Sequence, residues 1–295
     1  MADQAAEVLP GGVPGPARPA ARWREAGWLR DPGFMVPGVI LVVILFACFV
    51  WPAVYPVPQP VGGSLLQANM PAFSPGHLLG TDAVGDDLLS RCLYGGRISL
   101  EIAAASVAVG LVFGGLLGIV AAFAGNWADS VIMRVIDMFI AFPALILFLV
   151  IVDGLGPSET SVIWAISVFT VPAFARIARA ATLEVRGQVF VTAHQLAGCR
   201  RPRLVLRHVV PNILPQLVTF SCLLAGVVVL VSGALSYLGL GVPPPTPSWG
   251  SMISDGQQVL ASRPLLALAP SAFLFVTVLA LNLLGDRLRD RWGVR

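Results

Sequence analysis

The sequence predicts an all-α membrane protein with six transmembrane helices, and three observations predict it. Hydrophobic residues make up 56% of the 295 and charged residues 12%, at a mean hydropathy of +0.81, far from a soluble domain's balance. Six apolar runs come close to the roughly 20 residues that a helix needs to cross a hydrocarbon core of about 30 Å. The basic residues gather in a few clusters between these runs instead of forming one long stripe.

In chain order, residues 1–33 are rich in Pro, Gly and Ala, with little to bury, and read as a mobile cytoplasmic tail. Residues 34–285 form the transmembrane domain. Its first run, 35–54, follows that tail without a small-residue cleavage site, so it is a retained span and not a signal peptide. An extracellular loop covers 55–97. The second run, 98–124, carries Gly110, Gly114 and Gly118 at four-residue intervals, a flat face that a neighbouring backbone can approach.

The third run, 131–152, begins with Arg134 and Asp137, three residues apart and so on one helix face. Intramembrane ionisable residues are functional candidates by default; the alternative is an interfacial pair anchoring the helix end. The fourth run, 162–180, leads into a basic cytoplasmic segment, 181–213. Here VFVTAHQLA (189–197) reads as a short helix ended by Gly198 and followed by Pro202. Pro211 and Pro215 fit the first turn of the next span, which has no intrahelical use for their missing N–H groups. On physics alone, an interfacial helix whose arginines meet anionic lipid is an alternative for this segment.

The fifth run, 216–241, precedes GVPPPTPSWG, where Pro243 to Pro245 impose extended backbone and a rigid extracellular loop. The sixth run, 265–284, contains a possible break at Pro270, and 286–295 read as a cytoplasmic C-terminal tail. Placing the N-terminus inside puts sixteen of nineteen arginines on the cytoplasmic side and leaves Arg91, Arg97 and Arg263 outside. Positive loops resist translocation, so both termini are expected in the cytoplasm.

Several functions are excluded by what the chain lacks. All nineteen basic residues are arginine, so no lysine is available for a phosphate-binding P-loop, a Schiff base or a serine/lysine dyad. If ATP is used, another chain binds it. Cys48, Cys92, Cys199 and Cys222 include no CxxC and read as packing residues, and His77, His194 and His208 lack metal-ligand spacing. The absence of GxSxG, HExxH and SxxK argues against an enzyme, and a formal net charge of +3 gives no case for nucleic acid.

Thr192, Ala193, His194, Gly198 and Pro211 have the spacing of the EAA loop and resemble that loop of ABC importer permeases. Four further segments resemble the dipeptide and oligopeptide (DppC/OppC) permeases: HLLGTDAVGDDLLSRCLYGGRISL (77–100), MRVIDMFIAFPAL (133–145), LSYLGLGVPPPTPSWGSMI (235–253) and NLLGDRLRDR (282–291). The resemblance implies a type I ABC importer permease fold with a cytoplasmic coupling helix, in a bacterial plasma (inner) membrane. It implies a subunit forming half of the pathway for dipeptides or short oligopeptides. Its implied partners are a second, DppB-like permease chain, one or two ABC ATPase subunits that bind ATP and Mg, an extracellular substrate-binding protein and membrane lipid. No cofactor, metal or catalytic residue is implied for this chain.

By the same resemblance the ATPase-coupling loop comprises Phe190, Val191, Thr192, Ala193, His194, Gly198, Arg207 and Pro211, with Phe190, Val191 and Leu196 offering apolar contact. Asp82, Asp86, Asp87, Pro244 and Trp249 are the implied extracellular gate or docking residues. Thr192 replaces a glutamate worth about 0.3–1 kcal/mol near a helix N-terminus, while its hydroxyl offers a cap. His194 adds bulk to the docking surface, and Asp86 stands in place of the family's arginine. Related permeases carry other small solutes such as nickel chelates. An ion-coupled secondary transporter is a further alternative, disfavoured because the chain shows no obvious internal repeat and few buried charges for ion coupling, and a receptor or scaffold would not explain the five ordered matches.

Overall fold

The structure is a computed structural model that describes residues 32–54 and 58–293. The expected mobile tail, except for its last two residues, lies outside the described residues. The helices are α1 (Pro32–Val54), α2 (Leu88–Ala124), α3 (Asn126–Ala141), α4 (Ala144–Leu155), α5 (Glu159–Arg186), α6 (Val189–Leu196), α7 (Arg201–Tyr237), α8 (Trp249–Gln257) and α9 (Leu265–Trp292). Among the described residues there is no β-strand, only isolated bridges at Ser74–His77 and Thr81–Asp87.

Five helices, α1, α2, α5, α7 and α9, are long and apolar enough to cross a membrane, and α3 with α4 makes a sixth candidate bent by 90°. The run 131–152 is therefore not one straight span. Pro143 supplies no N–H and crowds the residue before it, and Phe142 accordingly adopts extended backbone (φ −72°, ψ 138°). Apolar composition continues through the break, which hides it in a hydropathy reading.

Other boundaries also move. The Asp87 carboxylate caps α2 by accepting from Ser90 N, so the loop expected to be extracellular ends at residue 87 and not 97. α5 continues to Arg186 and α7 starts at Arg201, which shortens the expected cytoplasmic segment at both ends. Pro211 stands in the first turn of the regular α-helical part of α7, Val210–Tyr237, as expected, and Pro215 lies inside it. A widened π-type turn at Val205–Val209 precedes Pro211; such a turn relieves the clash between a proline ring and the carbonyl four residues back. Pro270 is likewise inside a continuous helix, and α9 extends to Trp292, so 286–292 are helical and not a tail.

The glycines of α2 meet α5. A Cβ at Gly110 would lie 2.6 Å from the Thr170 side chain, at Gly114 2.3 Å from the Val171 carbonyl oxygen, and at Gly118 2.4 Å from that of Ala175. Such backbone proximity is what small residues provide where lipid cannot drive helices together. The Thr170 hydroxyl donates to Ser106 O at 2.8 Å across the same seam. Fully buried Val162, Ala165 and Phe174 of α5 continue the core, and Phe174 meets Phe220 of α7 edge-on at 5.1 Å. α9 packs on α7, and α1 packs against α9 and α2.

Candidate functional site

The short helix α6 is tied at both ends and on its inner side. Its last turn closes with Gly198 in left-handed conformation (φ +78°), Cys199 N donating to His194 O and Gly198 N to Gln195 O, each at 3.0 Å. This double closure satisfies the terminal carbonyls that a helix leaves open. Val191 is fully buried in the core that also holds Leu204 and Val185, and Phe190 packs partly against it. The expectation that Val191 contacts a partner is therefore corrected: it anchors α6 to its own chain.

The opposite side is open. Val189 and Leu196 are each 85% exposed, and Thr192 and Ala193 between them are exposed as well. Spaced at i, i+3, i+4 and i+7, these four form one face. Thr192 is the fourth residue of the helix and not its cap; Gln188 occupies that position and makes no side-chain capping bond. His194 Nδ1 pairs with Phe190 O at 2.7 Å, and its ring lies 4.1 Å from that of His208. Arg200, Arg201, Arg203 and Arg207 are exposed beside this face, as is Pro211.

Arg134 and Asp137 do not pair with each other. Asp137 bonds Arg176 of α5, and Asp129 accepts from both Nε and Nη2 of Arg179. Arg134 is exposed on α3. Asp129, Arg176 and Arg179 escaped the sequence reading because their partners lie 39 and 50 residues away. Nearby, Arg186 donates to Ala122 O and stands over the Phe123 ring at 5.4 Å, joining the end of α2 to α5.

In the loop before α2 the acidic residues hold the fold. Asp82 bonds Arg91 and accepts from Val84 N and Asp86 N, each at 2.9 Å. Asp86 accepts from Gly63 N at 2.8 Å and approaches Arg91 at 3.4 Å. Asp87 takes His77 on one oxygen and the α2 cap on the other, both at 2.8 Å. Asp86 and Asp87 are each 5% exposed. The acidic pair is thus divided between Arg91 and His77 and turned inward, which removes both residues from a docking surface.

Trp249 is likewise corrected from docking residue to internal anchor. It is fully buried, its indole N–H donates to Cys92 O at 2.9 Å, and it stacks on Phe273 at 6.3 Å. A Cβ on Gly96 would come within 2.6 Å of its ring. Pro244 alone of the five residues is exposed in the expected way, beside a cis Pro244–Pro245 bond, and it borders a cleft of about 370 Å³ with Val61, Arg91, Thr246 and Asp255. Cys48 and Cys92 are buried free thiols, as expected of packing residues.

Comparison with known proteins agrees with this architecture. Residues 114–292 match the family of binding-protein-dependent transport system inner membrane components. The chain is similar to the glutathione transport system permease protein GsiD of Pectobacterium atrosepticum, at 38% identity over 91% of this chain and 89% of that protein. It is also similar to the dipeptide transport system permease protein DppC of Alkalihalophilus pseudofirmus, at 34% identity over 91% of this chain and 88% of that one. In solved structures, the fold resembles that of a chain of the inward-facing MetNI methionine ABC transporter, with a TM-score of 0.58 at 19% identity, covering 70% of this chain and 96% of that chain.

Proposed function

The chain belongs to the binding-protein-dependent transport system inner membrane component family, the ABC importer permeases of peptide type, and from that premise we propose that it forms half of a pathway for dipeptides or short oligopeptides. The observation that carries the coupling role is the two-sidedness of α6, with Val191 buried and Val189, Thr192, Ala193 and Leu196 exposed. A short helix fixed on one side and bare on the other suits a groove in a soluble partner. That partner is an ATPase subunit, which binds the ATP and Mg that this lysine-free chain has no P-loop to hold. A second permease chain completes the pathway, and an extracellular binding protein delivers substrate. Both termini lie in the cytoplasm, as the arginine distribution favours.

In the proposed cycle, closure of the ATPases displaces α6 and shifts the spans between inward-open and outward-open arrangements. The first selection of substrate within the peptide class, glutathione included, is made by the binding protein. The test is purification of the tagged chain in mild detergent, with identification of its partners and an ATPase assay. Recovery of a second permease and P-loop subunits, with hydrolysis stimulated by binding protein and peptide, supports the reading. A homogeneous chain without ATPase partners overturns it.

A further inference from the structure

The polar side of α3 lies outside the residues used in the coupling reading. Asn126, Ser130, Arg134 and Asp137 follow one another at intervals of three or four residues, and all are exposed; they form a stripe about 16 Å long at a rise of ~1.5 Å per residue. Val131, Val135 and Met138 repeat the spacing one residue on and are exposed too, on a face turned by about 100°. A helix so divided in a membrane protein gives its apolar stripe to lipid or a neighbouring chain and its polar stripe to water.

The charges on that stripe are open. Asp137 and Arg176 have side chains 60% and 50% exposed, whereas the Asp129–Arg179 pair is more enclosed, at 20% and 32%. Charges left facing hydrocarbon are costly, and those within membrane segments face a bundle interior or a water-filled cavity. Arg134, one turn away on the same stripe, has no hydrogen-bond or ion-pair partner among the described residues. Two guanidinium groups therefore stand against one carboxylate, a surplus of positive charge that favours an anion.

We propose that Arg134, Asp137 and Arg176 form a subsite on the wall of the translocation pathway for the charged ends of a peptide. Arg134 receives the terminal carboxylate, for which a guanidinium has matching bidentate geometry, and Asp137 shares its carboxylate between Arg176 and the peptide ammonium. This rests on the importer reading and deepens it, by assigning the permease a preference for free peptide termini that acts after the binding protein has released its cargo.

The experiment uses the complete transporter in liposomes with its binding protein. Uptake per ATP hydrolysed is measured for a dipeptide and for its C-terminal amide, at concentrations that saturate the binding protein with each. R134Q is expected to lower dipeptide uptake about tenfold, the size of one charge-assisted hydrogen bond, and to leave the amide unchanged, while R134K, which keeps the charge and loses the fork, restores only part of the preference. An equal effect on both peptides, or none on either, overturns the subsite. D137N gives a second reading: it should cost uptake of a free-amine peptide and spare its N-acetylated form. Failure of the wild-type complex to show any ATP-dependent uptake would overturn the importer reading itself, a separate result.

Discussion

Gly114 of α2 lies directly beneath the carbonyl of Val171 in α5, so close that a Cβ there would stand 2.3 Å from the oxygen. Two helices meet backbone to backbone at this point, with the Phe174 Cβ and the Ala175 amide beside the contact.

Gly114→Val is therefore expected to separate α2 from α5 and destabilise the fold by about 1–3 kcal/mol, the range for overpacking a filled core. Thermal unfolding of the purified chain in detergent measures it. Gly115, where an added Cβ meets nothing within 4 Å, is the control: Gly115→Ala should leave the midpoint unchanged.

The two sides of α6 should separate stability from coupling. Leu196→Asp places charge on an exposed position and is expected to leave the protein's yield intact while reducing peptide-stimulated ATPase activity severalfold. Val191→Asp buries an unpaired carboxylate, a cost of several kcal/mol, and should lower yield first. The reverse pattern would place the partner on the Val191 side.

At Gly198 the requirement is conformational. Its φ of +78° is closed to proline, whose ring holds φ near −65°, and accessible to asparagine at small cost. Gly198→Pro should abolish coupled ATPase activity with membrane insertion retained, and Gly198→Asn should preserve much of it. Equal activity in both variants would show that the turn after α6 carries no load.

Trp249→Ala tests the internal role assigned to that residue. Removal of a fully buried tryptophan is expected to cost about 3–5 kcal/mol, visible as loss of folded protein. Pro244→Ala, at an exposed position, should leave the melting temperature alone and alter only the affinity of the complex for its binding protein. Preserved stability in Trp249→Ala would return that residue to the outer surface.

Much of the architecture was legible because membrane helices announce themselves by composition, and the apolar runs at 35–54, 162–180 and 265–284 all fall within single helices. The glycine interval of α2 pointed to close packing, but only the tertiary structure names α5 as the neighbour. The inward turn of Val191 was not legible either: on an eight-residue helix carrying hydrophobic residues on both sides, the packing of α5 and α7 decides which side is buried. Ion pairs such as Asp129–Arg179 join residues 50 apart and leave no periodic trace. Trp249 was misplaced because prolines immediately before it suggested loop. The overlooked pattern was Ser248 and Ser251, whose reciprocal bonds cap α8 and commit Trp249 to a helix.

The connectors around α6 set its mechanical character. Two residues, Gly187 and Gln188, join it to α5, and four, 197–200, join it to α7. At about 3.3–3.6 Å per residue, the first of these can absorb no more than about 7 Å of slack even when fully stretched, and the pinned Val191 holds the helix from its inner side. In the proposed cycle a push on α6 is delivered to two spans at once as torque, with almost no lost motion. Lengthening the Gly187–Gln188 joint would act like backlash in a gear: ATP would still be hydrolysed, and the stroke would be spent in the linker.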